Sequence, residues 1–417
     1  MGFLDLLRRN RNCRRIWLGQ VVSEAGDYFN NVAVLSLVMQ ATGSGMVVSG
    51  VMLARAIPAV LAGPLAGVML DRFDRRRIML ASDLVRVALA LAFVITVRHP
   101  EAWLLYLLSA LLMFASPFFT AGRAAILPSI AAPHELHTAN SLTQTTQWAT
   151  LAAGAMLAGW SVAKFGYEWA FLINSASFLF SAACVWRLEL PGGFRAVRTG
   201  VARVVRPWRE YREGLRYMAS QPLTLGIAMI TVGWALGGGA AQVLFALFGE
   251  QVFGRGAAGI GEIWGFAGAG LLLGGWLGHA AGNRAGFTGY KRTVSVCYVM
   301  HGVAYVAFSQ MTVYWAALLL MLLSRVGMAV SSVLNNSQLL RHTPDEYRGR
   351  VFSTMETLRW AVMMLSMAAA GIASGYVNTR TLGAVAGVLG TLTAVYWTWA
   401  DATGRLPEPR PLKNLKA

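Results

Sequence analysis

Two acids, Glu24 and Asp27, stand one helical turn apart in a stretch that is otherwise largely apolar. With Tyr28 and Asn31 they fall within about 60° of one another on a helical wheel. Carboxylates this close repel, which suits a site that takes up and gives back a proton. The competing reading is a packing cluster in which an arginine of the second apolar segment neutralises one acid. Arg55, in the next apolar stretch, can pair with Asp27 or hydrogen-bond Asn31, and an arginine in hydrocarbon needs such a partner. Further along, Arg325 shares a face with Met328 and Ser332, while Glu356, Arg359, Met363 and Met367 form one stripe. Glu356 and Arg359 are spaced to pair with each other. A methionine stripe is commonly packing, but beside charges it can line an adaptable cavity. Asn140, Gln144 and Gln147 share a helix face and read as a cavity wall or as interhelical hydrogen bonds. The candidate proton-coupling and substrate-cavity set is therefore Glu24, Asp27, Asn31, Arg55, Gln144, Gln147, Arg325, Glu356 and Arg359.

These groups need elements that hold them in a low-dielectric interior. The chain has 417 residues, 56% hydrophobic and 13% charged, and a mean hydropathy of +0.51. Soluble domains carry roughly 25% charged residues. The composition excludes a soluble multidomain enzyme and a disordered chain. Twelve apolar segments can be placed, near 16–40, 46–70, 78–98, 102–122, 137–163, 168–188, 222–248, 258–282, 291–310, 313–338, 350–375 and 379–401. Each is about the length of a membrane-spanning helix. The expected fold is an all-α membrane protein. A basic segment, 1–15, precedes a six-helix bundle over 16–188; an Arg-rich linker, 189–221, leads to a second bundle over 222–401, and 402–417 is a tail. Within the linker, Pro207 to Met218 reads as a short amphipathic helix on the membrane surface.

The net charge of +17 acquires a meaning once the basic residues are assigned to alternate sides of the membrane. Twenty-eight of the 36 fall on the side of the termini and only Arg98, Lys164, Arg255 and Arg380 on the other. Arg123, placed in the loop between the fourth and fifth segments, is counted with the 28, as are Arg195, Arg198, Arg203, Arg206, Arg284, Arg410, Lys413 and Lys416. The asymmetry places both termini in the cytoplasm and favours attraction to anionic lipid over nucleic-acid binding. Arg55, Arg86, Arg325 and Arg359 remain inside the membrane.

An offset of 211 residues superposes Gly63 and Gly67 on Gly274 and Gly278, and Pro133 and Glu135 on Pro344 and Glu346. Two separated matches at one offset suggest two similar halves. Asp71 and Arg72 map onto Gly282 and Asn283, so the second copy has lost its acid.

The stretch from Gly63 to Arg77 carries the most specific spacing. Gly63 and Gly67 form a small-xxx-small face suited to close helix approach. Asp71 follows at the helix end, placed to accept hydrogen bonds from a neighbouring helix N-terminus. This segment resembles the loop motif of the major facilitator superfamily, with Gly67, Asp71, Arg72, Arg75 and Arg76 at matching positions and Asp74 where the superfamily usually has glycine. That variant, with Arg9 to Asn12, Trp17 to Gln20, Thr42 to Ser44, Ser82 to Leu84, Gly166 to Phe178 and Pro344 to Ser353, is similar to the branch holding the enterobactin exporter and the macrolide-efflux proteins. The resemblance implies a cytoplasmic gate of Gly67, Asp71, Arg72, Asp74, Arg75 and Arg76, with Asp71 meeting the start of helix 11 near Arg350 to Ser353.

Several features read as structural. Asp83 and Arg86 belong to the gate end of the third segment. His279 and His301 stand alone, as packing histidines do, and Glu262 lies at a rim. Gly237 to Gly239 follows no strand and is no phosphate loop; it suggests a bend or break in the seventh segment, facing the cavity. Cys13, Cys184 and Cys297 make no metal spacing.

The resemblance implies a secondary active exporter, proton-coupled, moving an amphipathic drug-like or siderophore-like molecule by alternating access. It further implies a multi-pass protein of a bacterial inner membrane, a monomer with lipid and small-molecule partners, no nucleic acid, no cofactor and no metal. The alternatives are a lipid or lysolipid flippase, or a non-transporting receptor or assembly factor on the same fold. An enzyme is not expected, since no triad, metal cluster or nucleotide fingerprint stands out.

Overall fold

The computed structural model describes residues 2–189, 207–282 and 286–409. Among them every regular element is a helix, as an apolar solvent that cannot bond to the backbone requires. A short α1 (Phe3–Arg9) precedes α2 (Arg11–Thr42), α3 (Gly45–Arg72), α4 (Arg75–Arg98), α5 (Ala102–Ile130), α6 (Leu136–Phe165) and α7 (Tyr167–Trp186). The linker supplies α8 (Pro207–Ser220). Then come α9 (Pro222–Leu247), continued by a π-turn at Phe248–Val252, α10 (Gly256–Gly282), α11 (Phe287–Gln310), α12 (Tyr314–His342), α13 (Asp345–Ala373) and α14 (Thr379–Ala402).

The twelve long helices correspond one to one with the twelve apolar segments. Eight are long and apolar enough to cross a membrane by composition alone. The other four, α2, α6, α11 and α13, are as long but more polar. Helix ends are set by local chemistry. Asn10 caps α2 by accepting from the Cys13 amide at 3.0 Å, and Gly43 ends that helix in the left-handed region at φ 60. Asp74 caps α4 by accepting from the Arg77 amide at 3.0 Å.

The chain forms two compact units. The first holds residues 1–199 with 245–268, the second 200–244 with 269–417. In the first, α2 packs on α6 and α7, α3 on α5, and α4 on α5 and α7. Residues 245–268 join it because glycines allow backbone contact: a Cβ on Gly261 would lie 2.4 Å from the Ala155 carbonyl. In the second, α11 packs on α12 and α14, and α8 on α13. The linker helix thus forms as expected from Pro207 onward. It docks on α13 through the stacked rings of Tyr217 and Tyr347, 4.5 Å apart, and an Arg350–Glu213 ion pair of 3.2 Å.

Three expectations need correction. Arg123 is not in a loop: α5 runs through it to Ile130, and its side chain is buried. Gly63 and Gly67 do not seat a neighbouring helix, because a Cβ at either would meet nothing within 4 Å. Gly237 to Gly239 makes no break, since α9 is α-helical through it. A Cβ on Gly239 would lie 2.3 Å from the Met363 carbonyl, so these glycines are there for close packing. Arg195, Arg198, Arg203, Arg206, Arg284, Asn283, Arg410, Lys413 and Lys416 lie outside the described residues.

Candidate functional site

The interior of the first unit gathers three carboxylates and three arginines on α2, α3, α4 and α5. Gly26 lets α2 lie against α7, since a Cβ there would collide with Ser177 and Asn174. That contact sets the rotation of α2 and turns its polar face inward. Glu24 accepts from Arg123 Nη1 at 3.1 Å and from Thr150 Oγ1 at 3.3 Å, so α2, α5 and α6 meet on one carboxylate. Asp83 pairs with Arg86 one turn along α4, and both are buried. The Arg86 guanidinium is also sandwiched over Phe178 at 4.3 Å and Phe119 at 4.6 Å, which offsets part of the cost of burying a cation.

Asp83 Oδ2 lacks a hydrogen-bond partner, and Asp27, unlike Glu24 and Asp83, is in no ion pair among the described residues. Its Oδ1 is buried and accepts no hydrogen bond, although Arg55 and Arg86 lie within electrostatic reach. Arg55 instead donates Nη1 to the Asn30 side chain at 3.0 Å. The expected partners, Asp27 or Asn31, are thus replaced by Asn30, which lies one turn from Asp27. Asn31 is half-buried. On α6, Gln144 donates to Gln147 at 3.2 Å across an exposed face, while Asn140 is exposed.

The motif at the end of α3 divides its labour. Arg75 donates to the Ala125 carbonyl at 2.7 Å and Arg76 to the Trp186 carbonyl, tying the start of α4 to the ends of α5 and α7. Asp71 and Arg72 are exposed at the end of α3. Asp74, out of pattern as a residue type, acts as the α4 cap.

In the second unit a cavity of about 250 Å³ opens among α9, α11, α12 and α13. Trp234, Tyr298, Asn335 and Phe352 line it together with the Arg359–Glu356 pair. Glu356 also accepts from Trp360 Nε1 at 2.8 Å, and Arg359 points Nη1 at the Met363 sulfur, 3.8 Å away. The lining combines rings, an amide and an ion pair open to solvent on its acid side. It can hold an apolar body and address a polar group. Arg325 is buried, 5.9 Å from the Tyr305 ring centroid and 3.6 Å from the Met328 sulfur. His301 packs as expected, its Nδ1 2.8 Å from Ser324 Oγ.

Of the predicted residues, Glu24, Asp27 and Arg55 come together in one unit, and Glu356 and Arg359 in the other. Arg123, Asn30 and Thr150 were missed. Asn30 carried a usable signal, its three-residue spacing from Asp27. Arg123 carried none locally, because its partner is 99 residues away in sequence.

Comparison with known proteins places this geometry. The family model described as Major Facilitator Superfamily matches residues 16–362. The chain is 26% identical over 401 residues to the uncharacterized MFS-type transporter YfiS of Bacillus subtilis (strain 168), covering 92% of each chain. It is 25% identical to the putative bacilysin exporter BacE of the same organism, over 83% of this chain and 84% of that one. Among solved structures, a bacterial homologue of the iron transporter ferroportin, in an inward-facing state, superposes with a TM-score of 0.68 at 19% identity, over 93% of this chain and 98% of that one.

Proposed function

The chain belongs to the major facilitator superfamily, and on that premise we propose that this multi-pass transporter is a proton-coupled exporter of an amphipathic small molecule. The observation that carries the proposal is the unsatisfied, buried Oδ1 of Asp27, in a unit where Glu24 and Asp83 are both ion-paired. A carboxylate oxygen buried without a hydrogen bond is costly, and ionisable groups within membrane helices mark ion pathways. Protonation relieves that cost, and Arg55 and Arg86 set how readily the proton is held. In this reading an ion gradient is the energy source. Export as the direction is supported by the likeness to an exporter.

The substrate is drawn to the second-unit cavity, where Trp234, Phe352 and Met355 take its apolar part and Glu356, Arg359 and Asn335 its polar part. Arg325 holds that unit's interior positive, and Gln144 and Gln147 offer amide contacts on the face of α6. Residues 16–188 and 222–401 act as the two halves of an alternating-access machine joined by 189–221. Gly67, Asp71, Arg72, Asp74, Arg75 and Arg76 form its cytoplasmic gate. The basic asymmetry puts both termini in the cytoplasm of a bacterial cell, and the transporter works as a monomer.

The test is transport in proteoliposomes with an imposed pH gradient, with peptide-like, macrolide-like and siderophore-like compounds offered. Asp27→Asn should lose the gradient-driven component and keep downhill exchange. Undiminished gradient-driven transport by that variant would remove Asp27 from coupling.

A further inference from the structure

The four arginines of the α3–α4 turn and the start of α4 are used unequally. Arg75 and Arg76 are spent on helix carbonyls. The Arg72 and Arg77 side chains are exposed and make no hydrogen bond or ion pair among the described residues. Both stand at the mouth of a groove of about 460 Å³ between α3, α4 and α5. Below them the walls are apolar: Met69, Val85, Phe114 and Phe118 line it, and each is at least partly exposed. From Arg75 to Val85 the rise of an α-helix gives a depth of about 15 Å. Asp74, the one acid among the lining residues, is already engaged as the α4 cap. The mouth is therefore net positive and sits on the N-terminal end of a 24-residue helix, which favours an anion.

We propose that this groove is a binding site for an anionic phospholipid, with the phosphate held between Arg72 and Arg77 and one acyl chain lying along Met69, Val85, Phe114 and Phe118. A free phosphate would use the arginines and leave the groove empty; a zwitterionic lipid would bring its own cation against two guanidinium groups. The charge and the apolar depth together select a lipid whose headgroup carries a net negative charge. The site lies in a single unit and stands whether or not the chain couples transport to protons.

The experiment is native mass spectrometry of the full chain, titrated with phosphatidylglycerol, phosphatidylethanolamine or phosphatidylcholine. Phosphatidylglycerol should bind at one site above the annular background. Arginine near a membrane surface contributes about 1 kcal/mol each to anionic lipid attraction, so Arg72→Gln with Arg77→Gln should weaken it about 30-fold. The Arg72→Lys, Arg77→Lys pair should retain most of the affinity and serves if the glutamine pair does not fold. Val85→Trp, which fills the groove and keeps both charges, should also weaken binding. Equal affinity for phosphatidylcholine or phosphatidylethanolamine overturns the headgroup assignment. Displacement by millimolar inorganic phosphate, or full binding by Val85→Trp, overturns the lipid in favour of a bare anion site.

Discussion

The same glycine spacing does opposite work in the two units. On α10, Gly274 and Gly278 are closed off by α12: a Cβ on Gly274 would lie 2.5 Å from the Val326 carbonyl, and one on Gly278 3.0 Å from Val333 Cβ. On α3, 211 residues earlier, Gly63 and Gly67 have open space where those side chains would be. The buried charges differ in the same way. The first unit pairs Glu24 and Asp83 with arginines and leaves Asp27 Oδ1 without a hydrogen bond. The second keeps its Glu356–Arg359 pair at a cavity wall, with Glu356 55% exposed. The two interiors therefore differ: the first buries its Asp83–Arg86 pair completely, and the second has a half-exposed pair at the wall of a cavity.

Four measurements would break or sharpen that contrast. Asp83→Asn should cost about 3–5 kcal/mol, because it strands Arg86 in a buried site; thermal unfolding in detergent reads it, and an unchanged midpoint would show that the first unit is not held by its ion pairs. Gly274→Ala should cost about 1–3 kcal/mol through overpacking against the α12 backbone, read by the same assay. Gly63→Ala should be stabilising by up to about 1 kcal/mol, since alanine is the better helix former and nothing opposes its Cβ; equal destabilisation by both glycine variants would erase the difference between the halves. Smallest in stability is Glu356→Gln, expected to cost under about 1 kcal/mol as a solvent-facing pair. If the second-unit cavity binds substrate, that variant should nevertheless weaken substrate affinity in a binding titration.

Much of this was legible in the residue order. Helix existence and rough position followed from apolar runs, and the Asp27 cluster and the Glu356–Arg359 pair from charges out of place within them. Failures occurred where a residue's role depends on something distant. Arg123 reads as a loop residue beyond the fourth segment, yet it lies inside α5 and pairs with Glu24, which is far away in sequence. Asn30 and Asn31 differ by 100° on a helix, and only the position of α3 decides which one Arg55 reaches. Gly239 is flush against Met363, and Gly67 against nothing, yet both are glycines in apolar helices.

The sequence by itself determined the class, the long apolar helices, the asymmetry of basic residues and most of the interior charges, Arg123 excepted. Each of these depends on local composition, and the transfer of a segment into hydrocarbon is nearly additive over its residues. The tertiary structure alone decided which acid is paired, which glycines are contacts and which arginines are left free at a groove. Those outcomes turn on separations of a few ångströms between groups remote in the chain, where a buried charge or a Cβ is either accommodated or excluded.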